Sequence, residues 1–248
     1  MNERTIHLIR HAPKGAKLDG SPASAEQGVY LEVYEDNNAI KTESDGLVAR
    51  ELEKYAGVRS LLASPRLRAQ QTAHLFAQGF GKQGVEMTPT VVTELSDCIP
   101  ENEFANVSGA YNIQGTYFAG VLQTCFPPLV KWSEIFPDLD IKTIPEWDTL
   151  RAYFARKSIA PYHSAQEVGQ RAAQKLAKEI FQGDALAVTH SGIMEPTVAA
   201  CINQPIEAVL EILGAKQTDF LESFQVVQHP EYGFVEAYIR GHKLTKRG

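Results

Sequence analysis

Three short polar motifs contain the residues of this sequence that could do chemistry. They are Arg10-His11, Ser64–Ala73 with its two arginines, and Thr189–Gly192, which includes His190. An imidazole can act as a nucleophile or carry a proton near neutral pH, and a guanidinium offers a permanent charge with planar donors. The residue types therefore predict a nucleophilic histidine beside a guanidinium. For each motif alone, the alternative is a strand or helix end that meets solvent.

The hydrophobic pattern around the motifs alternates between strands and helices. Apolar runs predict strands at Thr5–Ile9, Val58–Ala63, Val85–Leu95, Ala185–Val188, Phe224–Gln228 and Phe234–Ile239. Helical spacing of apolar residues predicts helices at Leu47–Ala56, Leu67–Phe80, from Ser164 onward, and at Glu195–Cys201. Ser164 and Glu167 form a predicted capping box at the start of the third helix. This alternation implies an α/β fold, a three-layer αβα sandwich with a mostly parallel central sheet.

All three motifs directly follow a predicted strand. In open sheets with parallel strands, ligands bind outside the carboxyl ends of the strands. Arg10-His11, Ser64 and Thr189-His190 are therefore expected to lie along one rim of the sheet. Three separate strands would then deliver polar residues to a shared pocket.

Taken together and in this order, the motifs resemble those of the histidine phosphatase superfamily, which includes cofactor-dependent phosphoglycerate mutases and fructose-bisphosphatase-type enzymes. Members show Arg-His-Gly, then Ser-x-x-x-Arg-Ala-x-x-Thr-Ala, then a strand that ends in His-Gly. This chain has Arg10-His11-Ala12, Ser64–Ala73 and His190-Ser191-Gly192 at the matching places. The resemblance covers about residues 4–95 and 164–240. Two departures are Ala12 in place of a glycine and Ser191 between the histidine and the glycine.

The resemblance implies a role for each matching residue. His11 is the nucleophile, and it would carry the phosphoryl group as a covalent phosphohistidine. Arg10 and Arg68 would hold phosphoryl oxygens, and His190 would be the second histidine on the phosphate. Arg66 is not the matching arginine. Because arginine and histidine supply the positive charge, we expect neither a metal nor another cofactor.

The leaving alkoxide of a phosphomonoester needs a proton, which a partly shielded carboxylic acid can give. Glu94 follows the third predicted strand and occupies roughly the position of the family's acid, so we favour it. Asp97 and Glu195 are the competing candidates. Glu195 also fits an ordinary first-turn glutamate that stabilises a helix dipole.

The activity implied is that of a metal-independent phosphatase that hydrolyses a phosphomonoester. Two alternatives stay open: a phosphoglycerate-type phosphomutase, and a phosphate-binding module without catalysis. Basic residues are sparse around positions 13–30 and 97–160, which favours the phosphatase, because a mutase must hold a bisphosphate intermediate in a closed basic pocket.

Residues 96–162 are irregular, rich in proline and aromatic residues, and contain both tryptophans. We expect this segment to pack as an inserted lid or cap within one domain that spans residues 1–248. It carries no recognisable motif, so the sequence leaves the substrate undefined.

Composition restricts the partners. The net charge of −6 comes without a basic stripe, which argues against nucleic acid. No apolar run is long enough to span a bilayer, no signal peptide is visible, and the three cysteines suggest neither a disulfide framework nor a zinc site. We therefore expect a cytoplasmic protein whose partner is a small phosphorylated substrate, and homo-oligomerisation stays open.

Overall fold

A computed structural model describes residues 3–17, 38–40, 43–96, 116–118, 121–123, 146–157, 163–179, 183–214 and 216–248. The strands are β1 (Arg4–Arg10), β2 (Lys14–Lys17), β3 (Asn38–Ile40), β4 (Val58–Ala63), β5 (Thr90–Val91), β6 (Thr116–Phe118), β7 (Val121–Gln123), β8 (Asp184–Thr189), β9 (Ser223–His229), β10 (Gly233–Ile239) and β11 (His242–Thr245). The α-helices are α1 (Ser44–Glu51), α2 (Leu67–Lys82), α3 (Glu146–Ala155), α4 (Ala165–Lys178), α5 (Met194–Cys201) and α6 (Ile206–Leu213). Two 3₁₀ helices cover Leu52–Tyr55 and Thr93–Leu95.

Seven strands form one mixed sheet in the order β11-β10-β9-β1-β8-β4-β5. The neighbours β1 and β8, β8 and β4, and β4 and β5 run parallel. The neighbours β1 and β9, β9 and β10, and β10 and β11 run antiparallel. The expected parallel arrangement is thus confirmed for the four strands that precede or flank the motifs, and the closing strands add an antiparallel half.

Alternating side chains along the central strands fill two separate cores. Ile6 and Leu8 of β1 pack with α4, α5 and α6 on one face of the sheet, whereas Ile9 packs with α1 and α2 on the other. Successive residues of a strand point to opposite faces, so a strand with apolar residues throughout needs helices on both sides. The three-layer αβα sandwich expected from the sequence is therefore confirmed.

Helices α4 and α5 pack closely because the residue at their contact is glycine. A Cβ built at Gly169 would lie 2.2 Å from the carbonyl oxygen of Pro196, which no real side chain could occupy. The start of α4 is also fixed, because Ser164 and Glu167 form the predicted capping box. This packing fixes α5 and, with it, the loop that follows β8.

The strand predicted at Val85–Leu95 is mostly wrong. Only Thr90–Val91 is a strand, paired with β4 at the edge of the sheet, and a 3₁₀ turn follows it. Gly84 has a φ of +81°, and Pro89 lacks the N–H that a strand ladder needs. Helix α6 and strand β11 were not predicted.

The proposed lid at 96–162 falls largely outside the described residues. Within it, the structure describes the β6–β7 hairpin and helix α3. Leu150 of α3 is buried, and its Cδ2 lies 3.0 Å from the place of a Cβ at Gly192. Helix α3 thus contacts the loop after β8. Among the described residues, no helix combines the length and apolar character that a membrane span requires.

Candidate active site

The ends of β1, β8 and β4 bring the three motifs to one rim. Arg10 is paired with Thr189 in the parallel register of β1 and β8. Just beyond, the His11 N–H donates to the Thr189 carbonyl at 3.0 Å, and the Ser64 N–H donates to the Val188 carbonyl at 2.8 Å. Backbone pairing therefore extends past the strand ends and sets positions 11, 64 and 190 side by side.

The His11 ring is fixed by a hydrogen bond at each nitrogen. Its Nδ1 lies 2.7 Å from the Ala12 carbonyl oxygen, and the Arg68 Nε–H donates to its Nε2 at 3.0 Å. A guanidinium can only donate, so Nε2 must be the acceptor and the ring proton must lie on Nδ1, where it donates to the carbonyl. Only 2% of His11 is exposed. The outcome is a buried neutral imidazole whose Nε2 lone pair faces the first turn of α2.

Thr72 connects β1 to α2 beneath this ring. Its Oγ1 accepts from the Ala12 N–H at 3.0 Å and donates to the Arg68 carbonyl at 2.7 Å. The loop that carries His11 is thereby attached to the helix turn that carries Arg68. Thr72 belongs to the second motif, but the motif alone predicts no role for it.

His190 lies beside His11, with 5.0 Å between the ring centroids. Its Nε2 is 3.0 Å from Ser64 Oγ. Burial, followed by the positive charge of Arg68, holds the pKa of His190 well below its usual value of 6.5. His190 is therefore neutral near pH 7. Among the described residues, its buried Nδ1 has no hydrogen-bond partner.

Three guanidinium groups surround the pair of imidazoles. Arg10, Arg66 and Arg68 are 6%, 0% and 5% exposed, and each of them lowers the pKa of His190. Arg66, which is not the arginine that matches the motif, is thus fully buried and lowers the pKa of His190 as well. Removing charged groups from water is costly, so this concentration of positive charge in a protein of net charge −6 is suited to an anion.

A buried carboxylate lies behind the site and holds two segments together. Glu195, which is 0% exposed, accepts from Gly192 N–H at 2.6 Å, Thr218 Oγ1 at 2.6 Å and Ser191 Oγ at 3.1 Å. The Thr218 carbonyl in turn accepts from Arg10 Nη1. Glu195 therefore anchors the loop after β8 and, through Thr218, the orientation of a guanidinium. These contacts fit an anchor, whereas the sequence analysis weighed Glu195 as an acid or a dipole partner.

Phe220 is a site residue that sequence reasoning missed. Its ring centroid lies 4.1 Å from Arg10 Cζ and 5.6 Å from the centroid of the His11 ring. It precedes β9, which pairs with β1, so its place depends on a contact between residues more than 200 positions apart. No local signal in the sequence marks it.

Glu94, one of the three acid candidates, lies at the rim formed by the ends of β1, β8 and β4. It sits in the 3₁₀ turn Thr93–Leu95 and accepts from Thr93 Oγ1 at 3.1 Å. This turn is fixed to the end of β8, because Thr189 Oγ1 donates to the Leu95 carbonyl at 2.7 Å. Asp97 lies outside the described residues.

The described residues offer neither a metal site nor an exposed thiol. The described part of the chain contains no group of three histidine, cysteine or carboxylate residues that could hold a metal ion. Cys201 is buried in α5, and burial raises the pKa of its thiol. A thiolate nucleophile at this position is therefore disfavoured.

Several solved structures share this architecture at low sequence identity. A mycobacterial glucosyl-3-phosphoglycerate phosphatase is similar with a TM-score of 0.57 and 15% identity over 92% of each chain. A putative α-ribazole-5′-phosphate phosphatase from Escherichia coli gives a TM-score of 0.54 and 13% identity, over 98% of this chain and 97% of the other. A protein described as mycobacterial hydrolase 1 gives a TM-score of 0.59 and 15% identity, over 98% of this chain and 100% of the other. No family model matches the sequence, and no curated protein matches it. At these identities the comparison shows a shared fold.

Proposed function

We propose that this chain, which has the fold of the histidine phosphatase superfamily, hydrolyses phosphomonoesters through a covalent phosphohistidine on His11. The observation that carries the proposal is the state of the His11 ring. Nδ1 is paired with the Ala12 carbonyl at 2.7 Å, and Nε2 faces the Arg68 donor at 3.0 Å. An unprotonated ring nitrogen beside a guanidinium is what attack on a phosphoryl group requires.

In the first step, the His11 Nε2 lone pair forms a bond to phosphorus while the bond from phosphorus to the ester oxygen breaks. We assign Glu94 as the acid that gives its proton to the leaving oxygen. In the second step, water attacks phosphorus, the P–N bond breaks, and Glu94 takes up a proton from the water. Inorganic phosphate leaves, and His11 and Glu94 return to their starting forms.

The guanidinium groups supply most of the stabilisation in this scheme. Phosphoryl transfer spreads charge over the non-bridging oxygens, so catalysis depends on positioning and on fixed positive charge. A single preorganised donor is typically worth about 2.7–4 kcal/mol of barrier, although such contributions are not additive. Arg10 and Arg68 already lie around the two imidazoles, and Glu195 and Thr72 hold their segments in place. The scheme therefore requires no metal ion.

Two similar structures are described as phosphatases, acting on a glucosyl-3-phosphoglycerate and on an α-ribazole phosphate. This supports hydrolysis over a mutase reaction. It also supports an active enzyme over a module that only binds phosphate, and the contact of the His11 ring with Arg68 and His190 agrees with this.

Replacement of the nucleophile tests the proposal. His11→Ala is expected to reduce hydrolysis of 4-nitrophenyl phosphate to the background, whereas His242→Ala, an exposed histidine of β11, should leave turnover unchanged. Wild-type protein that is quenched in alkali during turnover should show one added phosphoryl group on the peptide that contains His11 by mass spectrometry. Turnover of more than a few percent in His11→Ala would refute the assignment of the nucleophile.

A further inference from the structure

We propose that Phe220 is a specificity-determining residue, which selects phosphomonoesters whose alcohol carries an aromatic group. The inference deepens the proposed function and rests on it, because the ring can contact a leaving group only if esters react at His11. Nothing in the three motifs of the sequence refers to this residue. It is derived from the position, exposure and backbone of the segment before β9.

Phe220 is a large apolar side chain that lies beside His11 and Arg10. Its ring is tilted by 54° to the His11 ring at a centroid distance of 5.6 Å, within the range in which aromatic rings attract each other. It also packs at 4.1 Å from Arg10 Cζ, as a cation–π pair does. Even with these contacts, 38% of Phe220 is exposed. An apolar surface thus borders the position at which the phosphoryl group would be bound.

The backbone holds this ring in place. The Leu221 N–H donates to the Arg10 carbonyl at 3.1 Å, and the Arg10 N–H donates to the Glu222 carbonyl at 3.0 Å. Arg240 pairs with the Glu222 carboxylate at 2.7 and 3.0 Å. These contacts on both sides of Leu221 attach the segment to the strand that carries the nucleophile.

Leu221 adopts a left-handed backbone, which is costly for a branched residue. Its φ is +60°, in the left-handed region that residues other than glycine, asparagine and aspartate rarely adopt. The side chain is 8% exposed and packs in the core with α1 and α2. The unusual conformation therefore sends Leu221 into the core while Phe220 stays partly exposed at the rim. Strained residues of this kind concentrate where position serves function.

The chemistry of the ring defines the class of alcohol. A phenyl ring offers no hydrogen bond, so a leaving group with hydroxyl or carboxylate groups would be desolvated against it without compensation. An aromatic leaving group can instead pack on it edge-to-face or offset-stacked. The expected substrates are therefore aryl or arylalkyl phosphates.

Paired ligands that differ only in the ring test this inference. The dissociation constants of benzylphosphonate and ethylphosphonate, measured by calorimetry, give a preference ratio for each variant. The wild-type protein is expected to prefer benzylphosphonate. Phe220→Ala should reduce that ratio about tenfold and Phe220→Leu about threefold, as expected for the loss of an aromatic pair. Tyr232→Ala is the matched control, because Tyr232 is an exposed aromatic in the turn at the opposite end of β9, roughly 20 Å along the strand.

The outcomes separate this inference from the proposed function. Neither phosphonate can be hydrolysed, so the binding ratio is measured whether or not the protein is a phosphatase. A preference that Phe220→Ala removes, in a protein that does not hydrolyse benzyl phosphate, would refute the catalytic proposal while supporting the selection of aromatic ligands by Phe220. A wild-type protein without preference would overturn the inference. Equal weakening of both ligands in Phe220→Ala would overturn it too, because Phe220 would then act only by positioning Arg10.

Discussion

His190 should make the stability of the folded protein depend on pH by an amount that can be worked out from its surroundings. Burial, and after it the charge of Arg68, holds the pKa of His190 well below 6.5 in the folded chain. In the unfolded chain the pKa returns to about 6.5. Below that pH the unfolded chain binds a proton that the folded chain does not. The contribution of His190 is therefore fully present above pH 6.5 and is lost as the pH falls.

The magnitude follows from this one proton. If the folded state takes up no proton at His190 over the range, its contribution to the free energy of unfolding falls by RT ln(1 + 10^(6.5 − pH)). This loss is about 0.1 kcal/mol at pH 7.5 and about 1.4 kcal/mol at pH 5.5. The expected change for His190 alone is therefore about 1.3 kcal/mol over these two pH units.

Urea unfolding of the wild-type protein and of His190→Asn at several pH values measures this change. Burial also lowers the pKa of His7, His74 and His163, but these residues titrate in both proteins, so only the difference between the two profiles is informative. The wild-type protein should lose about 1.3 kcal/mol more than the variant between pH 7.5 and 5.5. Profiles that stay parallel within about 0.3 kcal/mol would show that His190 is not a buried neutral imidazole.

Two substitutions separate the roles of the carboxylates. Glu94→Gln should lower kcat for ethyl phosphate by about 10²–10⁴-fold, the usual contribution of a general acid. It should have little effect on kcat for 4-nitrophenyl phosphate, because that leaving group needs no proton. Equal losses of kcat for the two substrates would rule Glu94 out as the acid. Glu195→Gln replaces the carboxylate that accepts from Gly192 and Thr218 with an amide. Urea unfolding should therefore show a free energy of unfolding lower by about 2–3 kcal/mol, and kcat should also fall. Glu211→Gln, on the exposed surface of α6, is the control. If Glu195→Gln had the same free energy of unfolding as the wild type, Glu195 would not anchor the loop after β8.

Much of the scaffold could be predicted because turn-forming residues mark the ends of its helices and strands in the sequence. Val58–Ala63 was predicted as a strand and is one, since Gly57 precedes this apolar run and Ser64-Pro65 follows it. The helix predicted at Leu67–Phe80 continues only to Lys82. The second motif begins at the turn between these two elements, and Ser64-Pro65 marks that turn in the sequence. The rim could therefore be located before the fold was known.

The departures from the family pattern became interpretable only in three dimensions. Ser191, which separates His190 from the glycine, donates to Glu195 at 3.1 Å. Gly192 adopts a φ of +92°, and this conformation presents its N–H to the same carboxylate. Ala12 is not among the residues with positive φ, so its methyl group is accommodated. The sequence shows each of these residues but not the buried carboxylate that explains two of them.

The residues that sequence reasoning missed are those whose contacts are not local. Thr218 and Phe220 reach the site because β9 pairs with β1 across more than 200 positions. Arg66 is two residues from Arg68 and does not match the motif, and nothing in the motif shows that its side chain is buried. Periodicity predicts elements, but it does not predict which strand lies beside which, and the back wall of this site depends on that pairing.

The guanidinium of Arg68, which we propose binds phosphate, also contacts the ring of His11, the proposed nucleophile. Arg68 donates to His11 Nε2 and lowers the pKa of His190, so it favours the neutral form of His190. An entering dianion would accept the Arg68 donor and offset its charge. His11 Nε2 would then be released beside phosphorus, and the pKa of His190 would rise towards the range in which it can donate to a phosphoryl oxygen. In the proposed scheme, nucleophile activation and phosphate recognition are coupled through Arg68, whose planar set of donors a lysine ammonium, a single point charge, does not offer.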